Sequence, residues 1–293
     1  MIFISDFGLV TGALAGLAIG DAMGAPFEGS PPAERPVTGF FGGGPRMRAR
    51  GQFTDDTLQA LAVAASLTHC RGYCPEDMAW RLLAGYRRFP EFYGPTSGSV
   101  LDLVARGIPP YRAAFLVHRA NRGSRSNGSV MRGFPIGIFY AGPEVGAVSA
   151  CASRLTHYDP QPGACSAWLN RMVSALCRGA SREQAFISAW RLCEDAEVAE
   201  QLGRYRQSDP EPGLDALPCS HAALSVFMEH RSFPEAVTAA VSMGGDADTV
   251  GACTGALAGA CWGIGAIPPG WLAGLRDAGT VIDTAVRLWA VSQ

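Results

Sequence analysis

The chain contains 293 residues with 24 basic and 26 acidic side chains, and every basic residue is an arginine. The absence of lysine excludes mechanisms that need a lysine amine, such as Schiff-base chemistry, pyridoxal-phosphate catalysis and the phosphate-binding lysine of a P-loop. A formal net charge of −2, with 17% charged residues, excludes a general electrostatic attraction to nucleic acid or to an anionic membrane.

Helical periodicity dominates the sequence, and alternating strand-like runs are nearly absent. Clusters of proline and glycine separate the helical segments, and none of these breaks is long or polar enough to be a domain linker. We therefore predict a single all-α domain over residues 1–293. The clearest helical patterns cover residues 57–67, 76–88, 144–155, 166–178 and 181–202.

Two glycine-patterned runs stand near the two ends of the chain. Glycine recurs every four residues from Gly8 to Gly24 and again from Gly251 to Gly263, and both runs contain the sequence GALAG. Residues four apart lie on one ridge of a helix, and a ridge of glycines lets another backbone approach closely. We interpret residues 250–267 as a buried helix, and we predict that the two glycine helices cross at the centre of the fold.

Two short acidic clusters, GQFTDDT (51–57) and MGGDADT (243–249), precede predicted helices. Helix capping is the alternative interpretation of each cluster taken singly, because acids and threonines are favoured at helix N-termini. Taken together, four carboxylates repel one another unless cations lie between them. Two divalent ions balance four negative charges, and hard oxygen ligands suit Mg²⁺ or Mn²⁺. The predicted ligands are Thr54, Asp55, Asp56, Asp246, Asp248 and Thr249.

Five segments in chain order carry a resemblance to a known family. They are GALAGLAIGDAMGAPFE (12–28), GQFTDDT (51–57), SNGSVMR (126–132), THYDP (156–160) and GGDADTVGACTGALAGA (244–260). In this order they resemble the ADP-ribosylglycohydrolases, which include the dinitrogenase-reductase-activating enzyme and the ADP-ribosylarginine hydrolases. The resemblance implies a compact orthogonal bundle of α-helices with a dinuclear magnesium or manganese centre that the six residues above would ligate.

The resemblance also implies roles for individual residues. Glu28 matches an acid near the substrate, and we expect it to be catalytic together with Asp56 and Asp248. Either Glu28 or a carboxylate of the metal cluster is the candidate general base. Asp21 is expected to hold a loop in place. The residues implied to bind the substrate are Ser126, Asn127, Gly128, Ser129 and His157.

Without the resemblance, each of these residue types has an ordinary structural role. Glu28 is then a solvated acid, residues 126–129 form an ordinary turn, and His157 caps the C-terminus of a helix. Arg125 and Arg132 are candidates for a diphosphate, because guanidinium binds phosphate in a bidentate manner, although solvated surface arginine is the default. The aromatic candidates for stacking on adenine, with core packing as the alternative, are Phe92, Tyr93 and Tyr158.

One segment departs from the family pattern. The arginine-directed branch carries an aspartate just before a glycine-rich turn, which this chain has as FYGPTSGS (92–99). Phe92 and Tyr93 stand at the nearby positions, with Glu91 before them and Asp102 several residues later. This departure bears on the identity of the substrate more than on metal binding.

We therefore expect a metal-dependent hydrolase that cleaves the glycosidic bond between ADP-ribose and a modified target, such as a protein arginine or another acceptor, and so reverses ADP-ribosylation. One alternative is a non-catalytic ADP-ribose-binding or structural member of the family. Another is a metal hydrolase that acts on a different ribosyl or phosphate ester.

The nine cysteines are odd in number and include no CxxC pair, which predicts reduced thiols and a cytoplasmic location. We expect an ADP-ribosylated protein or small molecule as substrate, and no membrane partner. We further expect no general binding to nucleic acid, and a monomeric state.

Overall fold

The computed structural model describes residues 4–44 and 47–293, and only the backbone of residues 4–6. Over these residues the chain forms helices and no β-strand, which confirms the predicted all-α class. The α-helices in chain order are α1 (Ile4–Gly24), α2 (Asp55–Cys70), α3 (Pro75–Arg88), α4 (Pro95–Ala105), α5 (Pro110–Asn121), α6 (Phe134–Phe139), α7 (Glu144–Ser153), α8 (Pro160–Leu176), α9 (Arg182–Arg191), α10 (Ala196–Gly203), α11 (Ala216–Glu229), α12 (Phe233–Ser242), α13 (Ala247–Trp262), α14 (Pro269–Gly274) and α15 (Ala278–Ser292).

Helices α1 and α13 lie side by side and antiparallel at the centre of the molecule. A Cβ atom added to any of four glycines of α1 would overlap the backbone of α13, so the two helices approach as closely as bare backbones allow. This confirms the predicted docking, although the helices run alongside each other instead of crossing at one point. The facing residues are Gly12 with Gly259, Gly16 with Gly255, Gly20 with Gly251 and Gly24 with Ala247.

The surrounding helices complete one hydrophobic core around this pair. Helices α12, α15, α11 and α8 make the most extensive contacts with this pair, and α2 and α6 also pack against it. By length and composition alone, residues Phe7–Phe27 would suffice to cross a membrane, but 83% of the apolar stretch is buried inside the protein. The apolar composition of this segment is therefore explained by its position as the central helix of the fold.

Two predicted helix boundaries are wrong. The segment 181–202 is not one helix but two, because the Asp195 carboxylate accepts a hydrogen bond from the Val198 amide at 3.0 Å and caps the start of α10. The helix predicted over 250–267 ends at Trp262. Gly263 follows with φ of +75°, a left-handed conformation that glycine adopts without steric cost, and a short 3₁₀-helix comes next.

Candidate functional site

Asp21, near the end of α1, fixes the start of α2. Its fully buried carboxylate accepts hydrogen bonds from the Thr54 amide at 2.9 Å, the Thr57 amide at 3.0 Å and the Thr57 hydroxyl at 2.6 Å. Burial raises the pKa of Asp21, and these hydrogen bonds oppose the shift. The predicted loop-holding role of Asp21 is confirmed, so the position of α1 determines where the first acidic cluster lies.

The second acidic cluster, at the start of α13, is held by the backbone of two other segments. The Gly29 amide donates to the Gly245 carbonyl at 2.7 Å, and the Gly245 amide donates to the Ser30 carbonyl at 2.8 Å. The Asp246 amide donates to the Pro212 carbonyl at 3.1 Å. Gly245 has φ of +59°, which lets this turn come so close to its neighbours. The loop that carries Glu28 is thereby tied to the loop that carries Asp246.

The structure brings the four aspartates of the two helix starts together in the interior. Each of these four aspartates is at most 8% exposed to solvent. Burial, followed by the charges of Asp21 and Asp248, raises the pKa of Asp56 well above its usual range. Burial, followed by the charges of Asp246 and Glu28, does the same to the pKa of Asp248. The two clusters and half-buried Glu28 therefore belong to one site.

One carboxylate oxygen in this cluster has no partner. Among the described residues, Asp56 Oδ1 is buried without a hydrogen-bond partner, whereas Asp56 Oδ2 accepts a hydrogen bond from the Thr54 hydroxyl at 3.2 Å. Asp248 Oδ1 accepts from the Thr249 amide at 3.0 Å. A buried carboxylate oxygen without a donor is costly, and a hard cation is the partner that would satisfy it.

The donor chemistry of the cluster therefore fits Mg²⁺ or Mn²⁺, because the available atoms are carboxylate and hydroxyl oxygens. Over the residues that the structure describes, no three His, Cys, Asp or Glu side chains form a ready-made ion-binding group. Side-chain rotation within the cluster would be required to complete a coordination shell.

The 126–129 loop lies directly beside the second acidic cluster. The Asn127 side-chain nitrogen donates to Asp246 Oδ2, and the Asn127 amide donates to the Leu214 carbonyl at 2.9 Å. The Ala216 amide donates to the Arg125 carbonyl at 2.8 Å on the other side of a small antiparallel bridge. Residues 212–216 thus hold both this loop and Asp246. This segment was not predicted as part of the site, because its proline and glycine residues indicate only a turn.

His157 contacts this loop from the protein interior. It is completely buried, with its Nδ1 at 2.8 Å from the Thr156 hydroxyl and its Nε2 at 2.8 Å from the Ser126 hydroxyl. Burial and the nearby Arg132 charge lower its pKa to about 3, so the imidazole is neutral. His157 therefore does not cap a helix as a cation. It orients the Ser126 hydroxyl.

The remaining two residues of the loop face inward. A Cβ atom at Gly128 would lie 3.2 Å from Cε1 of His157, which is closer than ordinary packing allows. The Ser129 hydroxyl lies 2.8 Å from the Ser153 hydroxyl and is buried. Ser129 is thus turned toward α7, and its expected contact with the substrate stays a prediction.

Arg132 connects α2, the 126–129 loop and the residue before His157. Its buried guanidinium donates from Nη1 to Gln59 Oε1 at 3.0 Å and to the Gly128 carbonyl at 3.1 Å, and from Nη2 to the Thr156 hydroxyl at 2.7 Å. Gln59 Nε2 in turn donates to Asp55 Oδ2 at 2.9 Å. The prediction that Arg132 contacts a diphosphate is wrong, because its donors are buried and used inside the protein.

Gln59 was not predicted from the sequence either, although a signal was present. It stands four residues after Asp55 on α2, and residues at this spacing lie on the same face of a helix. Arg125, at the other end of the loop, keeps a 55% exposed side chain, with its Nε at 3.4 Å from Asp159 Oδ2. Of the two predicted phosphate-binding arginines, only Arg125 is accessible.

The three aromatic candidates have different environments. Tyr93 is a core residue whose hydroxyl donates to the Leu82 carbonyl at 3.4 Å, so its predicted stacking on adenine is wrong. Tyr158 is 38% exposed. Phe92 lies under the guanidinium of Arg48, whose carbon is 3.9 Å from the ring centroid. A cation therefore lies over the segment in which the aspartate of the arginine-directed branch is missing.

Comparison with known proteins adds to this geometry. The family model for ADP-ribosylglycohydrolase matches residues 5–293. The ADP-ribosyl-dinitrogen-reductase glycohydrolase of Rhodospirillum rubrum is 30% identical over 278 residues, which cover 90% of this chain and 89% of that protein. ADP-ribosylarginine hydrolase Tri1 of Pseudomonas putida (strain GB-1) is 27% identical over 89% of this chain and 72% of its own length. A solved structure titled ADP-ribosylglycohydrolase-related protein complex matches with a TM-score of 0.87 at 34% identity, covering 99% of this chain and 100% of that chain.

Proposed function

Since this chain belongs to the ADP-ribosylglycohydrolase family, we propose that it is a metal-dependent hydrolase that cleaves the glycosidic bond between ADP-ribose and a modified target. The observation that carries the proposal is the burial of four mutually repelling aspartates around an oxygen, Asp56 Oδ1, that has no hydrogen-bond partner. Such an arrangement is unfavourable for a purely structural core and is suited to binding cations.

We propose that two divalent cations, Mg²⁺ or Mn²⁺, complete this site. When bound, they would supply a template for the ribose hydroxyls and a water molecule of lowered pKa. The residues that would hold them are Thr54, Asp55, Asp56, Asp246, Asp248 and Thr249.

The chain's own residues have distinct tasks in this proposal. Cleavage at the anomeric carbon develops positive charge on the ribose, which the surrounding carboxylates stabilise. Glu28 is half-buried on a loop tied to that of Asp246, and we propose that its carboxylate accepts the proton of the attacking water. Asn127 holds the orientation of Asp246, and neutral His157 holds the Ser126 hydroxyl toward the ribose.

The 92–99 segment favours a second candidate, an ADP-ribose-binding protein without turnover. Here the Arg48 guanidinium covers Phe92, whereas the arginine-directed enzymes that the sequence resembles carry an acid nearby. A cation at this edge disfavours a cationic arginine acceptor, and a family member that cannot accept that target would bind ADP-ribose without releasing it. The nine free cysteines support a reducing, cytoplasmic location for either candidate.

A release assay in the presence of Mn²⁺ tests the proposal on arginine-linked, serine-linked and nucleic-acid-linked ADP-ribose. Calorimetry with free ADP-ribose is carried out in parallel. Release from any acceptor supports the hydrolase and identifies the target class. Binding of ADP-ribose without release from any acceptor supports the binding protein. Failure of both release and binding would contradict both candidates.

A further inference from the structure

A cavity separate from the candidate site lies between α7, α8 and the residues 192–195 that separate α9 from α10. Its volume is about 480 Å³, which is large enough for a small metabolite. None of its lining residues belongs to the aspartate cluster or to the 126–129 loop. It touches the site described above only through the connection between α7 and α8, where Arg154 and Asp159 line one end of the cavity.

The guanidinium of Arg171 and the carboxylate of Glu194 both line this cavity. Arg171 Nε is buried without a hydrogen-bond partner, and Glu194 is exposed. Burial lowers the pKa of Arg171, and the Cys193 and Glu194 side chains oppose that shift. In the part of the chain that the structure describes, no ion pair joins them. The same cavity thus presents two opposite charges that do not neutralise each other.

Space for the guanidinium is provided by a glycine. A Cβ atom added at Gly146 on α7 would overlap the head group of Arg171 on α8. The rest of the floor between the two helices also consists of small side chains, so the cavity has a narrow apolar surface next to the charged end. The small residues that form it are Gly146, Ala147, Ala150, Gly163, Ala164 and Ala167.

The other carboxylates of the lining are already engaged. Asp159 accepts from the Gln161 amide at 3.1 Å, and its second oxygen lies 3.4 Å from Arg125 Nε. Asp195 accepts from the Val198 amide at 3.0 Å. The remaining titratable groups are Arg154, which is exposed, and Cys193, which is half-buried. Among the described lining residues, Arg154, Arg171 and Glu194 are therefore the charged groups that form no ion pair, and of the two arginines only Arg171 has a buried nitrogen without a hydrogen bond.

We propose that this cavity binds a free α-amino acid. The ligand carboxylate would contact the Arg171 guanidinium, the ligand ammonium would contact the Glu194 carboxylate, and the ligand side chain would lie on the glycine and alanine floor. A simple anion would engage Arg171 alone, and a simple cation would engage Glu194 alone. A zwitterion satisfies both charges with one molecule. The proposal does not depend on the hydrolase activity.

The test begins with the full chain and each of the twenty L-amino acids at millimolar concentration, with binding detected by saturation-transfer NMR and affinity measured by calorimetry. The N-acetyl and carboxamide derivatives of the best binder each lack one of the two charges. We expect each derivative to bind about tenfold more weakly or worse, because a charge-assisted hydrogen bond is lost. A derivative that binds as well as the parent amino acid would overturn the zwitterion assignment, and no binding by any amino acid would overturn the site.

Three variants locate the ligand. Arg171→Gln should weaken binding about tenfold or more, and Ala147→Trp, at an exposed position on the cavity wall, should block it by filling the space. Arg287→Gln, on the exposed side of α15, removes the same charge far from the cavity and should bind like the unchanged protein. Unaltered binding by Ala147→Trp would overturn the proposed location even if Arg171→Gln folds poorly.

Discussion

The two halves of the candidate site are built on opposite principles. In the aspartate half, buried carboxylates raise one another's pKa, and Asp56 Oδ1 has no partner. In the other half, the guanidinium of Arg132, the imidazole of His157 and the hydroxyl of Thr156 satisfy one another through bonds of 2.7 and 2.8 Å. The two halves are of similar depth, so burial alone does not explain the difference.

The contrast indicates how the molecule divides stability from function. A satisfied buried network holds a loop in one conformation at little net cost, whereas a cluster of like charges is tolerated only where something else compensates. Gln59 joins the halves, because it accepts from Arg132 and donates to Asp55. The hydrogen-bonded Arg132 half therefore positions the aspartate half. The following variants are expected to separate the contributions of the two halves to stability and to activity.

The largest effect is expected on activity from Asp56→Asn and Asp248→Asn. Each should lower turnover by about a thousandfold or more, a loss comparable to that of a group that stabilises a transition state. Neither should lower the free energy of unfolding without cations, because each removes one repelling charge. Release assays, Mn²⁺ calorimetry and urea unfolding check these outcomes. Asp283→Asn, on the exposed side of α15, is the control, and full activity of either site variant would refute the cation site.

Arg132→Met should have the opposite profile and lower the free energy of unfolding by about 3–5 kcal/mol, because it breaks a buried charged network and leaves its partners unpaired. Urea denaturation measures this change. Arg125→Met, at the exposed end of the same loop, should change the free energy by no more than about 0.5 kcal/mol. Equal stability of the two variants would mean that the network does not hold the fold.

Gly16→Ala should lower the free energy of unfolding by about 3 kcal/mol, because the added methyl group overlaps the backbone of Gly255 and forces α1 away from α13. The two acidic clusters depend on this helix pair through Asp21 and through the start of α13, so activity should fall as well. Gly8→Ala is a matched control on the same helix, since nothing lies within 4 Å of its added Cβ atom. It should raise stability by up to about 1 kcal/mol through helix propensity. Thermal unfolding of both variants measures these changes in stability. Equal stability of the two variants would contradict the close packing of α1 against α13.

Mn²⁺ should stabilise the unchanged protein by about 2.7 kcal/mol at a concentration one hundred times its Kd, since a ligand that binds only the folded state shifts the unfolding equilibrium. The same titration with Asp56→Asn should give a much smaller increase. Differential scanning calorimetry over a range of Mn²⁺ concentrations measures both. Equal stabilisation of the two proteins would place the ion outside the aspartate half.

The smallest effect concerns pH. The folded pKa of His157 is lowered to about 3 from 6.5, so below pH 6.5 the unfolded chain binds a proton that the folded chain does not. This residue should therefore reduce stability as the pH falls from 6.5, by up to about 1.4 kcal/mol per pH unit. In urea unfolding, His157→Gln should have a shallower pH dependence than the unchanged protein between pH 6.5 and about pH 5. An equal slope in the two proteins would contradict the assignment of this pH dependence to His157.

The aspartate half could be predicted from the sequence more readily than the Arg132 half, for physical reasons. Acidic pairs at helix starts and glycines every four residues are local patterns with fixed spacing, and they lead directly to α2, α13 and the α1 contact. The links from Arg132 to Gln59 and Thr156 join three separate elements, and no local pattern encodes them. The break at 192–195 was missed because the apolar period continues through it, while a single cap at Asp195 decides the chain's path.

The pairing of α1 with α13 also constrains the order in which the chain can fold during synthesis. Helix α1 leaves the ribosome before the other helices, with the apolar composition of a membrane span, and its partner is made only after eleven further helices. Contacts of such high contact order form late and leave apolar surface uncovered in the meantime. Asp246 and Asp248 lie at the start of α13, so the proposed site is incomplete until that helix has been made.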